Sequence, residues 1–329
     1  MGVDQLCDGG GDQDRTALMA ALTITTRTVD DSLTLAENIG FTEGPVWTTD
    51  GRLFVTSVSR GALYEVFLDG RPAVAAAETG GGPNGMTLGC DGRLWITQNG
   101  GDVMPTRSQL PVSPSIQVWD YRAAAAPSTI ASGNVVAPSD CTFGPDGALW
   151  FTDPNGHGFG DAALPGRVWR YDPAGDHATV VLDDVFFPNG IAFGVYPDHL
   201  YVAETARDRV RRYLVTASTA TVDHDFPEIA VSTPDGITID AQGGLWVAGS
   251  KSGTVTYFDP AGQMREQLAI GEGTMPTSVC FAGDALDRLI VTVAKGGRVL
   301  AFPVEVPGSL TPPAVAPIVS SPAQPEELQ

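Results

Sequence analysis

The chain is short of positive charge: 19 Lys and Arg stand against 39 Asp and Glu in 329 residues, a net charge of −20. Nucleic-acid backbones and anionic membrane surfaces need a cationic face to replace their counterions, so neither is expected as a partner. Cysteine is scarce too. Cys7, Cys90, Cys141 and Cys280 form no CxxC pair and no disulfide-like spacing, which reads as reduced, buried thiols. No apolar run approaches about 18 residues, no basic segment leads into an apolar one, and no Asn-x-Ser/Thr acceptor occurs. A cytoplasmic protein is the expectation. Helical periodicity is nearly absent, which rules out the helix needed by two tempting motifs. Gly80 to Gly85 satisfies GxGxxG but opens a strand, so no helix N-terminus is there to bind a pyrophosphate. The segment from Asp153 to Gly158 begins like an EF-hand loop, yet its twelfth position is Leu164 and no helices flank it. No GxSxG elbow occurs.

What the chain has instead is repetition. Pro188-Asn189-Gly190-Ile191-Ala192-Phe193 recurs in variant form as Glu43-Gly44-Pro45-Val46-Trp47, Pro83-Asn84-Gly85-Met86, Pro138-Ser139-Asp140-Cys141, Pro234-Asp235-Gly236-Ile237 and Pro276-Thr277-Ser278-Val279. Each copy leads into a turn and an aliphatic strand: Leu53-Phe54-Val55, Leu94-Trp95-Ile96, Leu149-Trp150-Phe151, Leu200-Tyr201-Val202, Leu245-Trp246-Val247 and Leu289-Ile290-Val291. Glu43, Asn84, Ser139 and Asp235 lie ten residues before these leucines, and Asn189 and Ser278 eleven. With 39 Gly and 25 Pro, units of this size read as four short antiparallel strands each. Third strands are expected near 63–67, 115–119, 167–171, 209–214, 254–258 and 298–302. Outer strands are expected near 72–76, 128–131, 179–182, 227–231 and 265–270. The sixth unit lacks an outer strand, and the orphan segment 33–36 can supply it. The expectation is an all-β, six-bladed β-propeller over 24–306, closed by an N-terminal strand so that no edge stays open. A flexible segment is expected over 1–23, and a disordered Pro-rich tail over 307–329.

Radial placement gathers Glu43, Asn84, Ser139, Asn189, Asp235 and Ser278 around one axis. All offer oxygen, a hard-ligand set suited to calcium or magnesium and poor for zinc or copper, with calcium fitting the flexible shell better. A lone Pro-Asn-Gly is more often a turn than a ligand site. Here the polar residue changes between Glu, Asn, Ser and Asp while the turn persists, and an Asx turn gives no reason for Glu43. The loops after each second strand should form a rim containing Asn99, Asp153 to His157, Glu204 and Lys251. His177, His199 and His224 fall on other edges and cannot be gathered into a zinc site.

From about Glu37 to Pro303 the sequence resembles the gluconolactonase/regucalcin/luciferin-regenerating family of six-bladed propellers. The resemblance rests on Phe41-Thr42-Glu43-Gly44-Pro45-Val46-Trp47, Pro188-Asn189-Gly190-Ile191-Ala192-Phe193, Pro234-Asp235-Gly236-Ile237 and Leu149-Trp150-Phe151-Thr152-Asp153-Pro154. It implies that Glu43, Asn189 and Asp235 bind one catalytic divalent cation, with Asp235 also acting as general base or nucleophile. Ser139 stands where the family usually has Asn, as a shorter oxygen ligand. The related diisopropyl fluorophosphatase type carries a second, structural calcium, and Thr238 replaces an acid needed for it, so one metal is expected. Asn84, Asn99, His157 and Glu204 would orient a small-molecule substrate, most simply a lactone or cyclic ester. A cyclisation, isomerisation or phosphotriester hydrolysis would use the same Lewis acid, and a non-catalytic binding propeller would have no need of the acid pair.

Overall fold

The computed structural model describes residues 24–309 except 102, 131–133, 157, 160, 161 and 217. Six antiparallel sheets follow one another around an axis. The first is built from Thr42–Trp47, Leu53–Ser57, Ala62–Val66 and Val74–Glu78, and the second from Pro83–Leu88, Leu94–Gln98, Ser115–Trp119 and Ser128–Ile130. The third uses Cys141–Phe143, Leu149–Asp153, Pro165–Asp172 and His177–Phe186. The fourth uses Pro188–Phe193, His199–Glu204 and Arg209–Val215, whose outer edge is shared by Ala220–Val222 and Ile229–Ala230. The expected outer strand at 227–231 is thus only half of that edge.

Ring closure follows the sequence expectation. Leu33–Ala36 pairs antiparallel with Arg298–Pro303, completing a sixth sheet with Pro276–Ala282 and Arg288–Val293. One strand was not legible: Thr25–Thr28 adds in parallel to Met264–Ala269, outside the fifth sheet of Pro234–Ile239, Leu245–Gly249 and Thr254–Phe258. Arg27 fastens it, pairing with Glu266 and donating to the Pro303 carbonyl at 2.7 Å. At the other terminus, Ala241 N–H donates to Pro307 O and Gly308 N–H to Leu286 O, both at 2.9 Å.

Each second strand is buried on both faces, which explains its unbroken apolar run. Leu53 and Val55 pack toward the sixth sheet with Leu35, Ile290 and Val299, while Phe54 packs toward the second with Met86, Leu94 and Trp119. The core is therefore six interfaces between neighbouring blades rather than one central cluster. The axis itself holds polar turns and a channel. Among the described residues no helix is long and apolar enough to cross a membrane.

Candidate active site

Register decides which side chains meet at the axis. Val46 pairs with Phe54, Thr87 with Trp95, Thr142 with Trp150, Ala192 with Tyr201, Thr238 with Trp246 and Cys280 with Ile290. Counting back from these pairs places Glu43, Asn84, Ser139, Asn189, Asp235 and Thr277 on one ring. Ser278 is displaced from it. Ser278 occupies the position that glycine holds in four repeats and that Asp140 holds in the third. The turn explains the shift: Phe281 pairs with Leu289, eight residues on, where Trp47 pairs with Leu53, six on.

The blades touch closely here. A Cβ on Gly190 would collide with the Asp235 carbonyl, and one on Gly44, whose φ is +38°, with the Asn84 carbonyl. Glycine next to the ring residue is thus a packing requirement as well as a turn signal. Threonine hydroxyls then fasten five of the six ring segments to the blade before. Thr56 donates to Asn84 O at 2.7 Å, Thr97 to Ser139 O at 2.7 Å, Thr152 to Asn189 O at 2.8 Å, Thr205 to Pro234 O at 2.6 Å and Thr277 to Thr42 O at 2.7 Å. Backbone positions on the ring are accordingly fixed from the blade before.

Three carboxylates face one another inside this frame. Glu43 is 7% and Asp235 9% exposed, and the half-buried Asp140 lines an axial channel of about 680 Å³ that also reaches Ser278 and Thr238. Burial raises the Glu43 carboxyl well above its ordinary range, and the charges of Asp235 and Asp140 raise it further, against one N–H bond from Gly44 at 3.1 Å. Asp235 is raised by burial and then by Asp140, and is partly relieved by a hydrogen bond from Asn189. Burial pushes Asp140 up to about 7, despite N–H bonds from Cys141 at 2.8 Å and Ile191 at 3.3 Å. Ser139 Oγ donates to Asn189 Oδ1 at 3.0 Å, so Ser139, Asn189 and Asp235 form a chain of hydrogen bonds around the ring.

The chemistry of this set fits a hard divalent cation: carboxylates raised by burial and, for Glu43 and Asp235, by neighbouring acid charge, with neutral oxygens beside them and no basic side chain among the groups acting on them. Among the described residues, however, no three His, Cys, Asp or Glu side chains converge closely enough to hold a metal. The acids approach one another without converging on a common point.

The rim residues fare unequally. Asn84 sits half-buried on the ring, and Asn99 is fully buried above the second blade, its Oδ1 accepting from Gly101 N–H at 2.9 Å while its Nδ2 has no partner. Glu204 is fully buried, its carboxylate gripped by Arg209 Nε at 3.1 Å and Nη2 at 3.0 Å and approached by Arg211 at 3.6 Å. That places it inside the fourth sheet and away from an open rim. Asp153 likewise accepts from Val136 N–H, Ala137 N–H and Trp169 Nε1. Lys251 is exposed on its loop, and His157 lies outside the described residues. Asp140 is the residue that sequence reasoning undervalued; its signal was an acid in a glycine's place.

Residues 41–295 match the family described as SMP-30/Gluconolactonase/LRE-like region. The chain belongs to this family. Among its relatives, the gluconolactonase of Zymomonas mobilis is 25% identical over 298 residues, spanning 79% of this chain and 78% of that protein. The pentonolactonase XacC of Haloferax volcanii is 34% identical over 140 residues, 40% of this chain and 46% of that protein. Similar solved structures include a luciferin-regenerating enzyme, with a TM-score of 0.67 at 18% identity over 85% of this chain and 98% of that one. A calcium-binding regucalcin from Agrobacterium tumefaciens gives a TM-score of 0.66 at 19% identity over 88% and 99%. At such identities the two structures speak for the fold of the family alone.

Proposed function

We propose that the protein is a lactonase, dependent on one divalent cation, that opens a lactone to its hydroxy acid with water. The observation that carries the reading is the acid set of Glu43, Asp140 and Asp235 on the propeller axis, all raised by burial and two of them also by the charge of Asp140, in a chain whose relatives include lactonases. Glu43, Asn189, Asp235 and Ser139 would hold the cation, with calcium the best match to their chemistry. When bound, it would supply charge balance to the acids and Lewis-acid polarisation of the lactone carbonyl.

Asp235 is assigned as general base. Its carboxylate takes a proton from the attacking water as the water oxygen bonds to the carbonyl carbon, and the ring C–O bond then breaks, the proton passing to the released alkoxide oxygen. The Asn189 amide bond to Asp235 orients that carboxylate. Asn84 and the unpartnered Asn99 amide are assigned to substrate placement, and Glu204 to holding the fourth sheet together. Activity on five- and six-membered lactones, followed by acid release from chelator-treated protein with calcium, magnesium, manganese or zinc returned singly, tests the reading. Hydrolysis restored by one of these supports it; no ring opening with any of them rejects it.

A further inference from the structure

Every second strand ends at the face where the ring residues begin, so the loops leaving those strands and the connections entering the next blade share that face. Five large apolar side chains are exposed there: Leu110 at 47%, Val136 at 40%, Phe159 at 51%, Leu164 at 57% and Met275 at 41%. The remaining exposed hydrophobics are scattered over the outer strands, their edges and the opposite face, as at Val74, Val180 and Tyr196. Exposed apolar side chains on the face where the ring residues begin, on a chain of net charge −20, point to contact with something apolar.

Backbone strain points to the same place. The residues two positions before Asn189, Asp235 and Thr277 are Phe187, Thr233 and Met275, with φ of +51°, +47° and +59°. Each directly precedes a proline, and left-handed backbone is rare for side chains of this kind. Hydrogen bonds hold these conformations: the carbonyls accept from Thr205 N–H at 3.0 Å, Ser250 N–H at 3.1 Å and Ala294 N–H at 2.9 Å. Strain maintained so close to reacting groups is characteristic of functional sites. Phe187 carries the apolar surface inward, its ring 5.7 Å from that of Phe159.

We infer that the substrate is a lactone bearing an apolar alkyl or aryl substituent, which seats on this collar while the ester group reaches the ring. The inference rests on the hydrolytic reading above and narrows its substrate class. Hydroxyls of a polyhydroxylated sugar lactone set against Phe159, Leu164 or Met275 would face carbon there.

The test compares δ-lactones bearing alkyl chains of one to six carbons with a polyhydroxylated δ-lactone, in intact protein with calcium. The corresponding lactams, which resist hydrolysis, are titrated in parallel by calorimetry. Expected is a rise in kcat/KM of about threefold to fourfold per added methylene, with the same order in lactam affinity. Phe159→Ser and Met275→Gln change exposed side chains and should melt as wild type does. Each should raise KM for the hexyl lactone about tenfold and for the methyl lactone by much less. Preference for the polyhydroxylated ring, or an equal effect of the variants on all lactones, overturns the inference. If no lactone of either kind is opened, the hydrolytic reading fails alone, and the lactam affinities still decide this one: tighter binding of the alkyl lactams retains it, while equal or weaker binding rejects it.

Discussion

Glu43 and Asp235 are buried with the half-buried Asp140 beside them, and no basic side chain figures among the charges acting on the three. Such an arrangement is costly in the metal-free protein, because burial opposes ionisation of all three and the charge of Asp140 opposes that of Glu43 and Asp235. Asp140 makes the cost measurable. Its folded pKa of about 7 lies above an unfolded value of about 4, so the native state binds its proton more tightly. The stability it contributes is complete below about pH 4 and is lost as pH rises through about 7. Urea unfolding of chelator-treated protein should therefore show wild type losing stability relative to Asp140→Asn between pH 5 and 8, the variant being the more stable at pH 8. A difference independent of pH would mean that Asp140 is solvated in solution. Asp235 is tested by Asp235→Asn, which keeps the shape and an oxygen but removes the base. Turnover at saturating calcium should fall by at least about 10²-fold, whereas Asn189→Ala, which removes no base, should recover more activity as calcium is raised. Near-normal turnover of Asp235→Asn would place the base elsewhere. Five of the six ring positions were legible as polar residues in a repeating turn. The sixth was misread as Ser278 because two extra residues in the turn before Leu289 are invisible to a count along the chain and visible only in the pairing of Phe281 with Leu289.

Elements here are joined in two ways, by side chains at the axis and by strands at the rim. Thr152 shows the first. Its hydroxyl accepts from Asp140 N–H at 2.9 Å and donates to Asn189 O at 2.8 Å, linking the third and fourth blades beneath the ring. Thr152→Val keeps the volume and strands both backbone groups, so thermal unfolding should show a loss of at least about 2 kcal/mol, and a neutral result would mean that water replaces the hydroxyl. A serial truncation separates the rim contacts. Removing residues 1–22 should leave the melting temperature unchanged, and removing 1–31, with the parallel strand Thr25–Thr28, should lower it modestly. Removing 1–37 also takes Leu33–Ala36 and uncovers Ile290, Val299 and Ala301, and should be severe. Equal melting of all three would reject closure by the N-terminal strand. That closure was legible because a sixth unit with three strands demands a fourth. The parallel addition was not, since Thr25 to Thr28 has neither apolar alternation nor a turn pairing it to a neighbour; Arg27, reaching Glu266 and Pro303 far along the chain, decides its place.

At the scale of the whole molecule, a net charge of −20 raises a question that site geometry alone leaves open: whether calcium would act at the ring or merely screen an acidic surface. The two effects separate by salt. Screening by monovalent ions shortens the reach of surface charge to about 8 Å at 0.15 M and needs no particular residue, so sodium chloride should raise the melting temperature of wild type and of a Glu43→Gln, Asp235→Asn double variant alike. Site binding instead adds stability as the logarithm of one plus the ratio of free calcium to its Kd, about 2.7 kcal/mol when that ratio is 100. With sodium chloride held near 0.5 M, millimolar calcium should therefore still raise the melting temperature of wild type by several degrees and leave the double variant where it was. The double variant should start from a higher baseline, because removing two of three repelling buried acids relieves the strain that the cation would relieve. An equal calcium response in both proteins would assign the ion to the surface field. No response in either would remove calcium from the ring and leave the acid set to work with another cation or with protons alone.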